Sequence, residues 1–307
     1  MAKETFGDKL REETIGCHLT TRALSTRRAM TTNQVEKVAE TFEADKKSVS
    51  AGRVVINRKM QVIAPVYSLL LEARHFINAR TIDYPMDGIR LCRKDQIENL
   101  AEGIQRRRDT LAELLQDLDA NWASVKAEAK QRLNMLYSDH DYPDRPSDSY
   151  GLYISFPAIR PDDSLLKLNP KLYKEEEARI RSKFTEAVQI AEAAVAKDLQ
   201  DLLNHLIERL LPSADGKKKV LKSSAIDNIR ECVDLFRVKT IGSNAELEKV
   251  IDRIDKLASG VEVESLRKAS AVSRQKFISG IQEITQSVDS IVQAMPVRRV
   301  LIDDLGE

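Results

Sequence analysis

Three places in this chain concentrate residues that could do chemistry. Asp139, His140, Asp141 and Asp144 set three carboxylates around one imidazole, hard oxygen ligands of the kind that hold a divalent cation. The same stretch is rich in proline, and clustered Asp with Pro is also the ordinary composition of an exposed turn, because Asp bonds its own backbone. We read it as a turn and assign no metal. Arg106, Arg107 and Arg108 form the densest arginine run, Lys217, Lys218 and Lys219 fall on a polar turn, and Arg298 with Arg299 stand near the end of the chain. Such runs attract phosphates. Consecutive helical residues diverge by about 100 degrees each, however, so the three arginines cannot all face one partner. Glu102, Asp109 and Glu113 stand at helical spacing to neutralise them. A solvated, partly paired face is therefore preferred to a nucleic-acid site, and the six residues of the two longer runs are retained as possible interaction residues.

No phosphate-binding loop, dinucleotide fingerprint, HExxH, EF-hand loop or paired CxxC occurs. With 11 glycines there is little material for a phosphate cradle. The remaining histidines, His18, His75 and His205, are isolated. No catalytic, cofactor-binding or metal residue is assigned, and a non-enzymatic role is expected. Cys17, Cys92 and Cys232 are far apart and odd in number, so at least one is unpaired in any internal disulfide scheme, which suits a reducing cytoplasm. The start of the chain is charged throughout and reads as neither a signal peptide nor an anchor. No stretch approaches the roughly 18 apolar residues of a spanning helix.

Across 307 residues, aromatic residues make up 5% and charged residues 32%, which suits slender helices with much solvated surface. Lys and Arg (49) nearly balance Asp and Glu (48), so no overall field draws nucleic acid or an anionic membrane. The strongest pattern runs from Ile180 through Phe184, Val188, Ala191, Val195, Leu199, Leu202 and Leu206 to Leu210, in steps of four, four and three. That period, about 3.67 residues, is the seam of a straight helix, here expected over 171–211 and ended by Pro212 and Gly216. A 44-residue helix is expected over 94–137, with its stripe shifting phase near Trp122 and with Arg107 at a seam position, where a charge must snorkel, pair or meet another chain. Trp122 is read as a bulky filler at the phase shift.

Further helices are expected over 34–50, over 54–78 with an interruption or a kink near Pro65, over 224–239, after a cap at Ser243 or Asn244, and over 262–294 with Leu266, Phe277, Ile281, Ile284, Val288 and Ile291 on its stripe. The first two should form a hairpin around Gly52. Alternation at Ile15, Cys17 and Leu19, at Ile89 and Leu91, and at Tyr150, Leu152, Ile154 and Phe156 predicts short strands near 15–20, 88–92 and 150–156. The fold expected is mainly α, an elongated, coiled-coil-like bundle of long antiparallel helices with one small β-sheet from those strands. Three divisions suggest themselves: 1–93, 94–211 with a strand region at 138–162, and 212–307, unless the chain forms one elongated domain.

The alternating start from Ile15 to Leu19, the stretch from Phe76 and Thr81 to Gly88, Ile89, Arg90 and Leu91, the long helix after it, and the strand ending in Phe156 and Pro157 resemble a family of helical proteins of phages and bacteria, a domain of unknown function. Members look to be encoded near MoxR-type or CobS-like AAA+ ATPases. The resemblance implies an accessory or adaptor whose partner is another protein, such an ATPase foremost, and it carries over no catalytic residue. The competing expectation is a nucleic-acid-binding accessory of phage replication or recombination that uses the basic runs. Either stripe can also pack between two copies, so a homo-oligomer is compatible with the pattern. No membrane partner is expected.

Overall fold

The computed structural model describes residues 5–210, 223–239, 244–259 and 271–294. Lys217 to Lys219, Leu266, Arg298 and Arg299 lie outside them, as does Ser243. The described chain is mainly helical with short antiparallel strands. In order it forms α1 (Phe6–Glu13), β1 (Thr14–Arg22), β2 (Arg27–Ala29), α2 (Thr32–Thr41), β3 (Gly52–Val54), α3 (Ala64–Arg80), β4 (Ile82–Asp83) and β5 (Arg90–Arg93). There follow α4 (Ile97–Ala120), α5 (Trp122–Leu133), β6 (Gly151–Ser155), α6 (Asp163–Leu168), α7 (Pro170–Leu210), α8 (Ser223–Lys239), α9 (Ala245–Ser259) and α10 (Ala271–Ala294). Two compact units are assembled from separated stretches: the first from Met1–Gly16, Arg80–Lys94 and Ala158–Glu307, the second from Cys17–Ala79 and Asp95–Pro157.

In the first unit, α7 runs for 41 residues, and its apolar stripe serves two different cores. Toward its start, Ile180, Phe184, Ala187 and Val188 close over Leu10 of α1 together with Ile82, Tyr84 and Leu91. α1 can lie close because Gly7 has no side chain: a Cβ there would come within 2.7 Å of the Thr185 hydroxyl. Arg181 to Asp8 (3.0 Å) and Arg11 to Glu177 (3.9 Å) bracket that contact with ion pairs. The β4 and β5 strands pair antiparallel, Ile82 opposite Leu91, across a turn that holds Gly88 at φ 74. Farther along, Val195, Leu199, Leu203 and Leu206 pack with Ile229, Val233 and Phe236 of α8, with Leu247, Ile251 and Ile254 of α9, and with Ile281, Ile284 and Val288 of α10. Asn244 caps α9, its side-chain oxygen accepting from the Leu247 amide at 3.0 Å. The described parts of both long stripes are thus largely buried within this chain.

Tyr84 sits in the first of these cores, its ring centroid 5.1 Å from that of Phe184. Its hydroxyl is buried without a hydrogen-bond partner among the described residues, and burial pushes the phenol up to about 12. A phenol raised in the folded state and ordinary, near 10, in the unfolded state contributes stability that is complete below pH about 10 and is lost as pH rises toward 12. Alkaline unfolding followed by circular dichroism is therefore expected to set in across that window. Tyr84→Phe should flatten the pH dependence, and an unchanged slope would contradict this assignment.

In the second unit, β1 and β6 pair antiparallel from His18 opposite Ser155 to Arg22 opposite Gly151, as the alternation of both segments predicts. Elsewhere the chain departs from its apolar pattern. The helix expected over 34–50 ends at Thr41: Glu43 takes φ 51, and the Ala44 amide bonds back to the Ala39 carbonyl at 2.9 Å, the geometry that terminates a helix even without glycine. Gly52 is not the turn of a helical hairpin. It lies in β3, which pairs antiparallel with β2, Arg27 opposite Val54, Arg28 opposite Arg53 and Ala29 opposite Gly52. Near Pro65 the expected helix is interrupted rather than kinked: 54–63 are not α-helical, and α3 begins at Ala64 with Pro65 in its first turn, where the fixed φ of proline suits the helix. The 44-residue helix expected over 94–137 is two helices, α4 and α5, separated at Asn121, whose ψ of 7 leaves the helical range at the phase shift.

Candidate interaction surfaces

The structure turns most of the described arginine run inward. Arg107 lies over the Phe76 ring, 4.0 Å from its centroid, donates to the Gly103 carbonyl (2.9 Å) and pairs with Glu72 (2.8 Å). The seam charge therefore finds its partner in α3 of the same unit. It does not use the helical neighbours Glu102 or Glu113. Arg108 donates to the Leu152 carbonyl (2.8 Å) and to Gln105 (3.3 Å). Only Arg106 of the three points to solvent with no side-chain partner.

The acidic turn also closes on protein cations. Asp141 accepts from Arg53 at 2.8 Å, with Arg28 at 4.0 Å from its other oxygen. Asp139 accepts from the Tyr137 hydroxyl (2.9 Å) and pairs with Lys126 (3.5 Å); those contacts hold its carboxyl below the usual carboxylate range. Asp144 lines an open cleft with Arg22, Arg28 and Arg145. No group of three potential metal ligands converges among the described residues. Trp122 is buried, donates from its indole to the Pro143 carbonyl (2.8 Å) and leans on Tyr142, the packing role expected of it. Cys17, Cys92 and Cys232 form no disulfide among the described residues, and burial pushes the Cys232 thiol up to about 11. No described helix is long and apolar enough to cross a membrane.

Two surfaces stand out that motif reasoning did not single out. In the first unit, Leu166, Leu168 and Leu172 are 47%, 82% and 45% exposed at the junction of α6 and α7. The junction is capped at the start of both helices. Asp162 caps α6 by accepting from the Ser164 amide (2.8 Å), and Asn169 starts α7 by accepting from the Leu172 amide (3.1 Å). The caps hold the leucines out among Lys167, Lys171 and Lys174. The signal in sequence is the short apolar run between Pro161 and Pro170, too brief to bury itself.

In the second unit, an open groove of about 650 Å³ lies beside the β2–β3 hairpin, lined among others by Arg27, Val54, Ile56, Arg58, Lys59 and Arg132. Strand alternation explains its face. Arg28 and Arg53 are opposite one another and turn toward Asp141, so Arg27 and Val54, also opposite one another, face the other way and are exposed. Arg132 is fixed by donating to the Val54 (2.7 Å) and Val55 (3.2 Å) carbonyls and pairing with Glu128 (3.1 Å). No family model, curated protein or solved structure matches this chain, so these surfaces are read from their chemistry.

Proposed function

We propose that this chain is a non-enzymatic helical scaffold or adaptor that holds another protein. The observation that carries the reading is the exposed cluster of Leu166, Leu168 and Leu172 on a capped junction, in a unit whose long-helix stripes are spent on their own cores. Clustered aliphatic side chains held in water cost free energy that a partner's apolar face recovers. The flanking lysines favour a partner whose apolar face is rimmed by carboxylates. A MoxR- or CobS-like AAA+ ATPase is the partner class implied by the resemblance to the phage and bacterial family, and an origin in a phage-related, cytoplasmic setting belongs to the same reading.

The test is affinity purification of the tagged full-length protein from its native host, with and without nuclease, in parallel with Leu166→Ser/Leu168→Ser/Leu172→Ser. An AAA+ ATPase retained by the parent after nuclease and lost by the triple variant supports the proposal. An unchanged set of captured proteins removes the leucine cluster as the docking surface. Partners that disappear with nuclease transfer the weight to the competing reading, a nucleic-acid accessory. For that reading the described part of the expected basic runs supplies one solvent-directed arginine, Arg106, and its binding should fall steeply with salt.

A further inference from the structure

We infer that the groove beside the β2–β3 hairpin of the second unit is a docking site for an extended acidic peptide segment of a partner protein, with an aliphatic residue between its carboxylates. This goes beyond the scaffold reading and concerns a different surface, so its success or failure is independent of the leucine cluster. Four cations line the groove: Arg27, Arg58, Lys59 and Arg132. The carboxylate that approaches them, Glu128, takes Arg132 and the Asn57 amide (3.2 Å) on one oxygen, and its other oxygen is buried without a partner among the described residues. Arg27 and Lys59 are exposed, and their side chains have no ion-pair partner among the described residues. The groove wall also carries aliphatic surface, with Val54, opposite Arg27 in the strand pairing, 41% exposed and Ile56 buried.

The division of labour among the cations identifies the anion. Arg132 is committed to backbone carbonyls and Glu128, and Arg58 lies 4.5 Å over the Tyr67 ring. Two freely pairing charges and an exposed aliphatic side chain lining one groove match two carboxylates flanking an aliphatic side chain. A phosphodiester strand asks instead for a continuous cationic track and open aromatic faces for its bases. No aromatic residue lines this groove among the described residues, and the nearby Tyr67 face is already covered by Arg58. The hairpin is held by the Arg53 and Asp141 pair on its opposite face, so the groove is present before any ligand arrives, and binding costs little reordering of the protein.

The experiment uses the full-length protein and a fluorescein-labelled peptide, acetyl-Glu-Val-Asp-Ile-Glu-Asp-amide, read by anisotropy. Saturable binding is expected, weakened on the order of tenfold or more in Arg27→Glu/Lys59→Glu. The charge-matched control Lys37→Glu/Lys47→Glu, also in the second unit but away from the groove, should bind as the parent does. Far-ultraviolet circular dichroism confirms that the variants fold. No saturable peptide binding, or equal loss in both double variants, overturns the proposal. A single-stranded oligonucleotide of equal charge that binds more tightly than the peptide and loses affinity in Arg27→Glu/Lys59→Glu also overturns it, in favour of a nucleic-acid groove.

Discussion

Asp141→Ala is expected to destabilise the second unit by about 3 to 5 kcal/mol. The Arg53 side chain is 8% exposed and that of Asp141 13%, so this pair is far from the surface regime in which ion pairs contribute little. Arg53 spends one terminal nitrogen on Asp141 at 2.8 Å and the other on the Leu136 carbonyl at 2.8 Å, while its Nε is buried without a partner. Removing the carboxylate leaves a largely buried guanidinium without its counter-charge, and the β2–β3 pair loses one of its ties to the 139–142 turn, the Tyr142 hydroxyl still donating to the Val55 carbonyl (2.9 Å). Trp122, the one tryptophan of the chain, belongs to the same unit and packs near Tyr142, so its fluorescence in a urea titration reports the loss as a lower midpoint. The double variant Arg53→Met/Asp141→Leu removes both charges and should be less damaged than Asp141→Ala. Breaking the exposed Lys249 and Glu246 pair, 69% and 71% exposed, should change little. A loss below about 1 kcal/mol in Asp141→Ala would show that the pair is solvent-like after all.

Gly103→Val is expected to cost about 3 kcal/mol. A Cβ at position 103 would stand 2.1 Å from one carbon of the Phe76 ring and 2.6 Å from another, so α3 and α4 must part or the ring must leave. Because the same ring carries the Arg107 guanidinium at 4.0 Å, and that guanidinium in turn holds Glu72, expelling it also removes a cation–π contact. Gly103→Ala is a sharper test of the cause. In an open helix it would gain roughly 0.5 to 1 kcal/mol over glycine; here the clash should reverse the sign. Adding Phe76→Ala vacates the space, so Gly103→Ala/Phe76→Ala should be more stable than the two single losses sum to, a coupling that urea titrations of the four proteins measure. Stabilisation by Gly103→Ala alone would mean that the ring yields without cost.

Where local pattern and packing agree, the chain is legible from its residues. The four, four, three stripe from Ile180 is a helix from Pro170 to Leu210, Asn244 caps α9 as expected, and the alternations at 15–20 and 150–156 are strands that pair. In these segments periodicity and burial carry the same information, because one face of each element meets a core. What the pattern does not display is which core. The α7 stripe reads as one continuous seam, yet its two halves close different cores, and the two units are each gathered from separated stretches of chain.

The possible interaction residues show the same division. Arginine in a run is indistinguishable in sequence whether it meets solvent or a buried acceptor, and it took the placement of Phe76, Glu72 and the Leu152 carbonyl to turn Arg107 and Arg108 inward. Arg27, Lys59 and Val54 have no common motif because strand pairing and the following turn bring them to one groove. Glu43 at positive φ, Pro65 opening a helix, Gly52 inside a strand and the break at Asn121 are likewise choices that neighbours in space impose on residues whose local preferences permit more than one conformation. Composition and periodicity therefore determine that this chain builds long amphipathic helices and a few short strands, since those follow from where apolar side chains recur. Only the tertiary structure decides which charges are neutralised inside the fold and which are left facing water, because that depends on contacts between residues tens of positions apart.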